Sequence, residues 1–233
     1  MNVPLILAFD TATPHLAVVL AQGSVTLACR VDDTPALSHA EKLNVFIDEV
    51  MREAGAAWNA LDAVAVGIGP GSYTGSRIGL SAAKGLCFAL GKPLIGMGTL
   101  EVLVAEWQAG PSEADPGDML WPMVDARRME VYTRPFTATA EPAGPTAPLI
   151  LDEAWCAARN GPGQAVVFGD GADKAVDLWR RWPQIRHVSG IRPSVRGLAR
   201  CAAGHFAQGR FGDLAYLVPE YGKAANVAQR RGG

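Results

Sequence analysis

Short apolar runs separated by turn residues open the chain: Leu5 to Phe9, Leu16 to Leu20 and Val25 to Val31. Asp10-Thr11-Ala12-Thr13-Pro14 and Gln22-Gly23-Ser24 lie between them, a pattern that predicts hairpins and an antiparallel meander. The period then changes. Leu43, Phe46, Ile47, Val50, Met51 and Ala54 recur at helical spacing behind Ser38-His39-Ala40-Glu41, which reads as a capping box. Asp48, Glu49, Arg52 and Glu53 form the wet side of that helix, and Gly55 ends it.

The most specific stretch runs from Ala63 to Glu101. A buried-type strand, Ala63 to Ile68, turns through Gly69-Pro70-Gly71-Ser72 into a helix rich in small residues, then into the apolar run Pro93 to Met97. Strand, helix, strand is a βαβ unit, whose right-handed crossover demands a parallel pair. Thr99 to Gln108 predicts a third helix, with Thr99 as its cap. The second helix is costly by itself, because Gly75, Gly79 and Gly85 each weaken a helix by about 1 kcal/mol relative to alanine. Gly75, Gly79 and Ala83 recur every four residues, so this row admits another backbone, either of the same chain or of a second one. The element order matches the ribonuclease-H-like unit from which actin-type ATPases and sugar kinases are built, a match of fold class that licenses no activity.

Ala109 to Asp118 is rich in turn residues and predicts a domain boundary. Beyond it, Met119 to Val124 and Glu130 to Phe136 read as strands joined by a hairpin at Asp125 to Met129. Thr137 to Pro148 reads as a loop, Leu151 to Arg159 as a helix, and Ala165 to Phe168 as a strand. Gly169-Asp170-Gly171 turns into a helix carrying Trp179 and Trp182. Ser194 caps a last amphipathic helix with Val195, Leu198, Ala199, Ala202 and Phe206 inward, and with Arg196 and Arg200 outward. This half echoes the first in shorter form. The expected architecture is therefore α/β in two domains, 1–108 and a reduced 109–222, with the last helix free to pack on the first domain and 223–233 frayed.

Composition narrows the chemistry. The 233 residues are 49% hydrophobic and 19% charged, enough for a substantial core, and the net charge of −2 gives no global basic footprint for nucleic acid. Cys29, Cys87, Cys156 and Cys201 lie far apart without a C-x-x-C pair, which argues against a zinc site or a disulfide framework. No apolar run has the length of a membrane span, and Asp10 arrives too early for a signal peptide, so the expected location is the cytosol.

The candidate chemistry is sparse. Asp10, Thr11 and Thr13 occupy a strand-end turn of a kind that holds phosphate or metal, or simply caps a bend; Asp170 and Gly171 occupy its counterpart in the second half. Gly67-x-Gly69-x-Gly71 misses the dinucleotide pattern at Ser72, and Lys84 follows Ala83 rather than a glycine, so the Walker pattern fails as well. His39 stands alone at a first helical turn and reads as structural. No pair among His15, His39, His187 and His205 is spaced like metal ligands. Seven arginines and no acid lie between Leu178 and Gly212, a run that suits either RNA phosphates or a solvated face.

Taken together, ILAFDTAT (Ile6 to Thr13), SHAEKL (Ser38 to Leu43), VGIGPGSYTGSRIGLSAAKGL (Val66 to Leu86), MVDARRMEVY (Met123 to Tyr132) and FGDGA (Phe168 to Ala172) resemble the TsaB (YeaZ) family. After Tyr216-Leu217 the chain has Val218 where that family usually has arginine, so nothing is carried over for the tail. The resemblance implies an actin-like two-domain fold. It also implies a non-catalytic subunit that dimerises with the homologous TsaD, and through it meets the ATPase TsaE, to place threonylcarbamoyl on the tRNA adenosine beside the anticodon. In TsaD, paired histidines after the strand corresponding to Pro93 to Met97 bind metal; here Gly98 to Leu103 contains none. The implied heterodimer is built from the first two helices of each subunit, which gives the Gly75, Gly79 and Ala83 row to a partner helix, while Leu43, Phe46 and Ile47 are candidates that divide between core and interface. No resident cofactor or metal is implied. An actin-like ATPase or kinase using Asp10, Thr11, Thr13, Asp170 and Gly171, with weak nucleotide binding, stays an alternative, as does an RNA-contacting module using Arg196 and Arg200. Self-association through the same helices also stays open.

Overall fold

The computed structural model describes residues 3–34, 39–110 and 113–222. Ser38 of the expected capping box and the expected frayed end, Lys223 to Gly233, lie outside them. The first sheet has the order β3-β2-β1-β4-β5, formed by β1 (Leu5–Asp10), β2 (Leu16–Gln22), β3 (Val25–Asp32), β4 (Ala63–Gly69) and β5 (Leu94–Gly98). β1, β2 and β3 pair antiparallel as the turns predict, while β1 pairs parallel with β4, and β4 with β5, as the crossover demands.

Alternation along these strands sorts the helices. Leu7, Phe9, Val18, Leu20, Val64 and Val66 face α1 (His39–Glu53) and α2 (Tyr73–Leu90). Ile6, Ala8, Ala17, Val19, Ala21, Ala63 and Ala65 face the opposite way, toward α3 (Thr99–Ala109) and α7 (Val195–Ala207). Successive strand residues point to opposite faces, so the small alanines fall together and the second helix layer sits close to the sheet. Close approach shows at Gly197 of α7, where an added Cβ would lie 2.7 Å from the Val102 carbonyl oxygen of α3.

The second sheet has the order β11-β10-β6-β7-β9, from β6 (Met119–Asp125), β7 (Glu130–Thr133), β9 (Ala147–Ile150), β10 (Ala165–Phe168) and β11 (Ile185–Val188); β8 (Phe136–Thr137) also pairs with β6. Helix α3 lies between the two sheets. Val102 and Ala105 pack on the first, and Leu100, Leu103, Val104 and Trp107 pack against Leu120, Val124, Val166 and Phe168 of the second. Buried over most of its surface between the sheets, α3 is mostly apolar. The far side of the second sheet is closed by Trp121, Trp155 and Trp179, stacked edge to face at 5.3 and 5.8 Å.

Several local expectations are corrected. Gly98, not Thr99, is the cap of α3; Thr99 is its first helical residue and is fully buried. The strand expected over Glu130 to Phe136 is broken after Thr133, where Arg134-Pro135 intervenes and proline supplies no ladder donor. The helix expected over Leu151 to Arg159 shrinks to α4 (Glu153–Ala157), and the expected loop before it contains β9. The helix after Gly169 is split into α5 (Asp170–Asp173) and α6 (Val176–Trp179), which leaves Trp182 outside it. β11 had no counterpart in the sequence pattern, because Ile185 to Val188 mixes arginine and histidine into a four-residue run.

Candidate functional site

The bend after β1 is the natural place to look for phosphate chemistry, and the structure fills it with protein. Asp10 and Thr11 are both 0% exposed. One Asp10 carboxylate oxygen accepts the Ala12 N–H at 2.6 Å, and the other accepts the Thr99 hydroxyl at 3.2 Å. Thr11 donates its hydroxyl to the Gly75 carbonyl at 2.7 Å, and the Ser72 N–H donates to the Ala12 carbonyl at 2.6 Å. The loop 69–72 and the first turns of α2 therefore rest directly on the bend. Added Cβ atoms at Gly71, Gly75, Gly79 and Gly67 would overlap the Ala12 carbonyl, the Thr11 carbonyl, the Thr11 hydroxyl and the Asp10 carboxylate, respectively. Burial pushes the Asp10 carboxyl above its ordinary value, opposed by the Ala12 N–H and the Thr99 hydroxyl.

This geometry corrects the expected role of the small row. Gly75 and Gly79 are buried and turned toward Thr11 and Val66 of the same chain, and Ala83 is buried in the core of the first sheet. Leu43 and Ile47 are likewise 1% and 3% exposed in the core under α1, and Phe46 packs partly against it. The glycines serve an internal contact. Their spacing was visible in the sequence; the direction they face was not.

The second turn is more open. The Asp170 carboxylate accepts the Asp125 N–H at 3.1 Å and the Gly171 N–H at 2.8 Å, while Lys174 pairs with Asp125. Burial again raises the Asp170 carboxyl above its ordinary value. Asp170 lines a cleft of about 180 Å³ with Thr13, Pro14, His15, Asp33, Arg192 and Pro193. Thr13 and Asp170 are thus brought together across the molecule, whereas Asp10 and Thr11 are left out. His15, paired with Asp33, and Arg192 were missed by sequence reasoning, since no motif joins residues so far apart. The cleft is smaller than the roughly 300 Å³ at the low end of small-molecule sites. His39, expected to be structural, points its ring nitrogen at the Pro14 carbonyl, 3.2 Å away.

Comparison with known proteins agrees with this two-sheet architecture. A family model described as TsaD, tRNA N6-adenosine threonylcarbamoyltransferase, matches residues 34–158. The tRNA threonylcarbamoyladenosine biosynthesis protein TsaB of Escherichia coli is 26% identical over 231 residues, covering 93% of each chain. The chain belongs to the TsaB (YeaZ) family. An uncharacterized protein of Mycobacterium tuberculosis is 33% identical over 200 residues, covering 85% of this chain and 84% of that one. A crystal structure from Pseudomonas aeruginosa, described as similar to peptidase YEAZ, superposes with a TM-score of 0.77 at 28% identity, covering 94% of this chain and 100% of that one. The fold is the actin-like, ribonuclease-H-like one.

With the TsaB family in view, the outer sides of the first two helices and the arginine run are the remaining surfaces to place. On α1, Val45 is 52% exposed; on α2, Phe88 is 83% exposed and Gly85 opens onto empty space. The C-terminal segment lies along α2: near the helix start Arg77 stacks over the Tyr73 ring at 3.9 Å and donates to the Tyr221 hydroxyl, and farther along Lys84, beside Gly85, donates to the Ala215 carbonyl. The arginine run is not a free basic strip. Arg180 pairs with Asp177, Arg181 with Glu153, Arg186 with Asp118, Arg192 with Asp33 and Arg210 with Glu101. Arg196 lies 2.6 Å from the buried Glu106, whose carboxylate also accepts the Gly197 N–H at 2.9 Å and the Ser194 hydroxyl. That clamp ties α7 to α3 and occupies Arg196. Arg200 is exposed, the only one of the seven without an acidic partner among the described residues. Among the described residues no helix is long and apolar enough to cross a membrane.

Proposed function

We propose that this chain is a non-catalytic subunit of the machinery that adds a threonylcarbamoyl group to N6 of the tRNA adenosine beside the anticodon, and that it acts by pairing with a TsaD-type subunit. The observation that carries the reading is the seal over the β1–β2 bend. A phosphoryl-transfer enzyme of this fold needs an open seat for phosphate, and here the backbone of 69–75 and the Thr99 hydroxyl fill it. What remains is a stable body with an exposed helical face. Binding energy delivered through that face can hold a partner in its competent conformation without any chemistry on this side.

The docking surface we assign is the outer side of α1 and α2, around Val45, Gly85 and Phe88, because Leu43, Ile47, Gly75, Gly79 and Ala83 are committed to the core. An aromatic side chain exposed to this degree on a regular helix is a natural anchor for a partner helix. The same face is open to a second copy of this chain when the partner is missing. TsaE and tRNA are reached through the complex, in the cytoplasm, rather than by this chain alone.

The test is to purify the chain with TsaD and measure the complex by sedimentation, alongside calorimetry of the isolated chain with ATP and magnesium. A heterodimer weakened by Phe88→Asp, together with no heat from ATP, is the expected outcome. Tight ATP binding by the isolated chain would favour the ATPase or kinase reading through the Thr13–Asp170 cleft.

A further inference from the structure

Away from that cleft, α3 and α7 bring three ligand-type side chains together. Glu101 stands in the first turn of α3, and Cys201 and His205 lie one turn apart on α7. One ligand atom from each falls within 4.8 Å of the other two. Cys201 and His205 are 8% and 6% exposed, and Glu101 is half-buried.

We propose that Glu101, Cys201 and His205 form a binding site for a thiophilic divalent metal ion of the zinc class. Nitrogen, sulfur and carboxylate oxygen are the donor set that such an ion selects, and three protein ligands leave a fourth position for water or another ligand. A carboxylate and a thiolate together neutralise a dication, so the filled site carries no net charge into the interior. On binding, the Cys201 thiol gives its proton to solvent and sulfur forms the metal bond.

The histidine supplies an independent reason. His205 Nε2 lies 3.4 Å from a Glu101 oxygen and 3.2 Å from an Arg210 nitrogen, while its Nδ1 is buried without a hydrogen-bond partner. Neither neutral tautomer satisfies this ring. A bare Nε2 accepts from Arg210 but faces the carboxylate and leaves Nδ1–H orphaned; a protonated Nε2 donates to Glu101 but confronts the arginine donor. A metal at Nε2 turns the opposition of nitrogen and carboxylate into shared coordination, while the buried Nδ1–H still lacks a partner.

Glu101, Gly98 and Arg210 line an open cleft of about 210 Å³ that reaches the carboxylate end of the site, and the Arg210 side chain beside it is 52% exposed.

The experiment titrates the full chain with Co²⁺ and then competes with Zn²⁺. One equivalent of cobalt should bind with a sulfur-to-metal charge-transfer band, and zinc should displace it. Cys201→Ser should abolish the band, and His205→Gln should weaken binding about tenfold or more. Arg210→Gln should tighten it by removing the competing cation. Circular dichroism checks that each variant is folded. Should Cys201→Ser fail to fold, X-ray absorption at the zinc edge of the wild-type chain decides, with one sulfur among the ligands expected. Wild-type protein without the charge-transfer band, a band that survives Cys201→Ser, or a zinc edge without sulfur would overturn the proposal. None of these readouts depends on the partner subunit.

Discussion

The two sides of α2 use small residues for opposite ends. On the inner side, Gly75 and Gly79 are forced by close approach, since any side chain there would strike Thr11. On the outer side, Gly85 sits in open space beside an 83% exposed Phe88 and meets no such constraint. The same residue type, six to ten positions apart on one helix, is compulsory in one place and merely permitted in the other. Glycine spacing alone therefore does not locate an interface; the surroundings of each missing Cβ do.

The sharpest way to break this comparison is Gly79→Leu. It should destabilise the fold by about 3 kcal/mol or more, because a leucine cannot share space with the Thr11 hydroxyl and Val66. Chemical denaturation measures it. A Gly79→Leu protein as stable as wild type would return the small row to the surface. Next comes Phe88→Asp, which should leave the unfolding midpoint within error while lowering affinity for TsaD by tenfold or more, about 1.4 kcal/mol.

A pH series sharpens the inner side further. The Asp10 carboxyl lies beneath the α2 contact, and burial raises it above its ordinary value of 3.8. An acid whose folded value is raised binds its proton more tightly in the native state. Its contribution is thus complete below 3.8 and is lost as pH climbs through the higher folded value. Compared with Asp10→Asn, the wild type should lose stability on going from acid to neutral pH, and parallel curves would refute the assignment. The smallest effect belongs to Gly85→Ala, which should stabilise the helix by about 0.8 kcal/mol because nothing lies within 4 Å of the new methyl group.

How much of this was legible in the chain differs by element. The β1–β2–β3 meander, the β4–α2–β5 crossover and the cap of α7 at Ser194 follow from local rules of turn chemistry, period and capping, and they were read directly. The second half was harder. Its strands are four residues or fewer outside β6, too short for a period to declare itself, and β9 and β11 were lost among prolines and charges. Asp10-Thr11 and Asp170-Gly171 were singled out as paired turns, and Thr13 and Asp170 line one cleft. That one turn is plugged and the other lines a cleft depends on contacts of Thr11 with residue 75 and of Asp10 with residue 99, which no local pattern encodes.

The sequence by itself determined the family, the α/β class and the helical row of small residues, because these rest on local conformational preference and on residues near one another along the chain. Only the tertiary structure decided what those residues face. It turned the glycines inward, paired Arg196 with Glu106, and carried Glu101 to within coordination reach of Cys201 and His205. The physical reason is that burial, charge pairing and close approach are properties of a neighbourhood assembled from distant segments. The chain specifies that neighbourhood only through the packing of both sheets around α3.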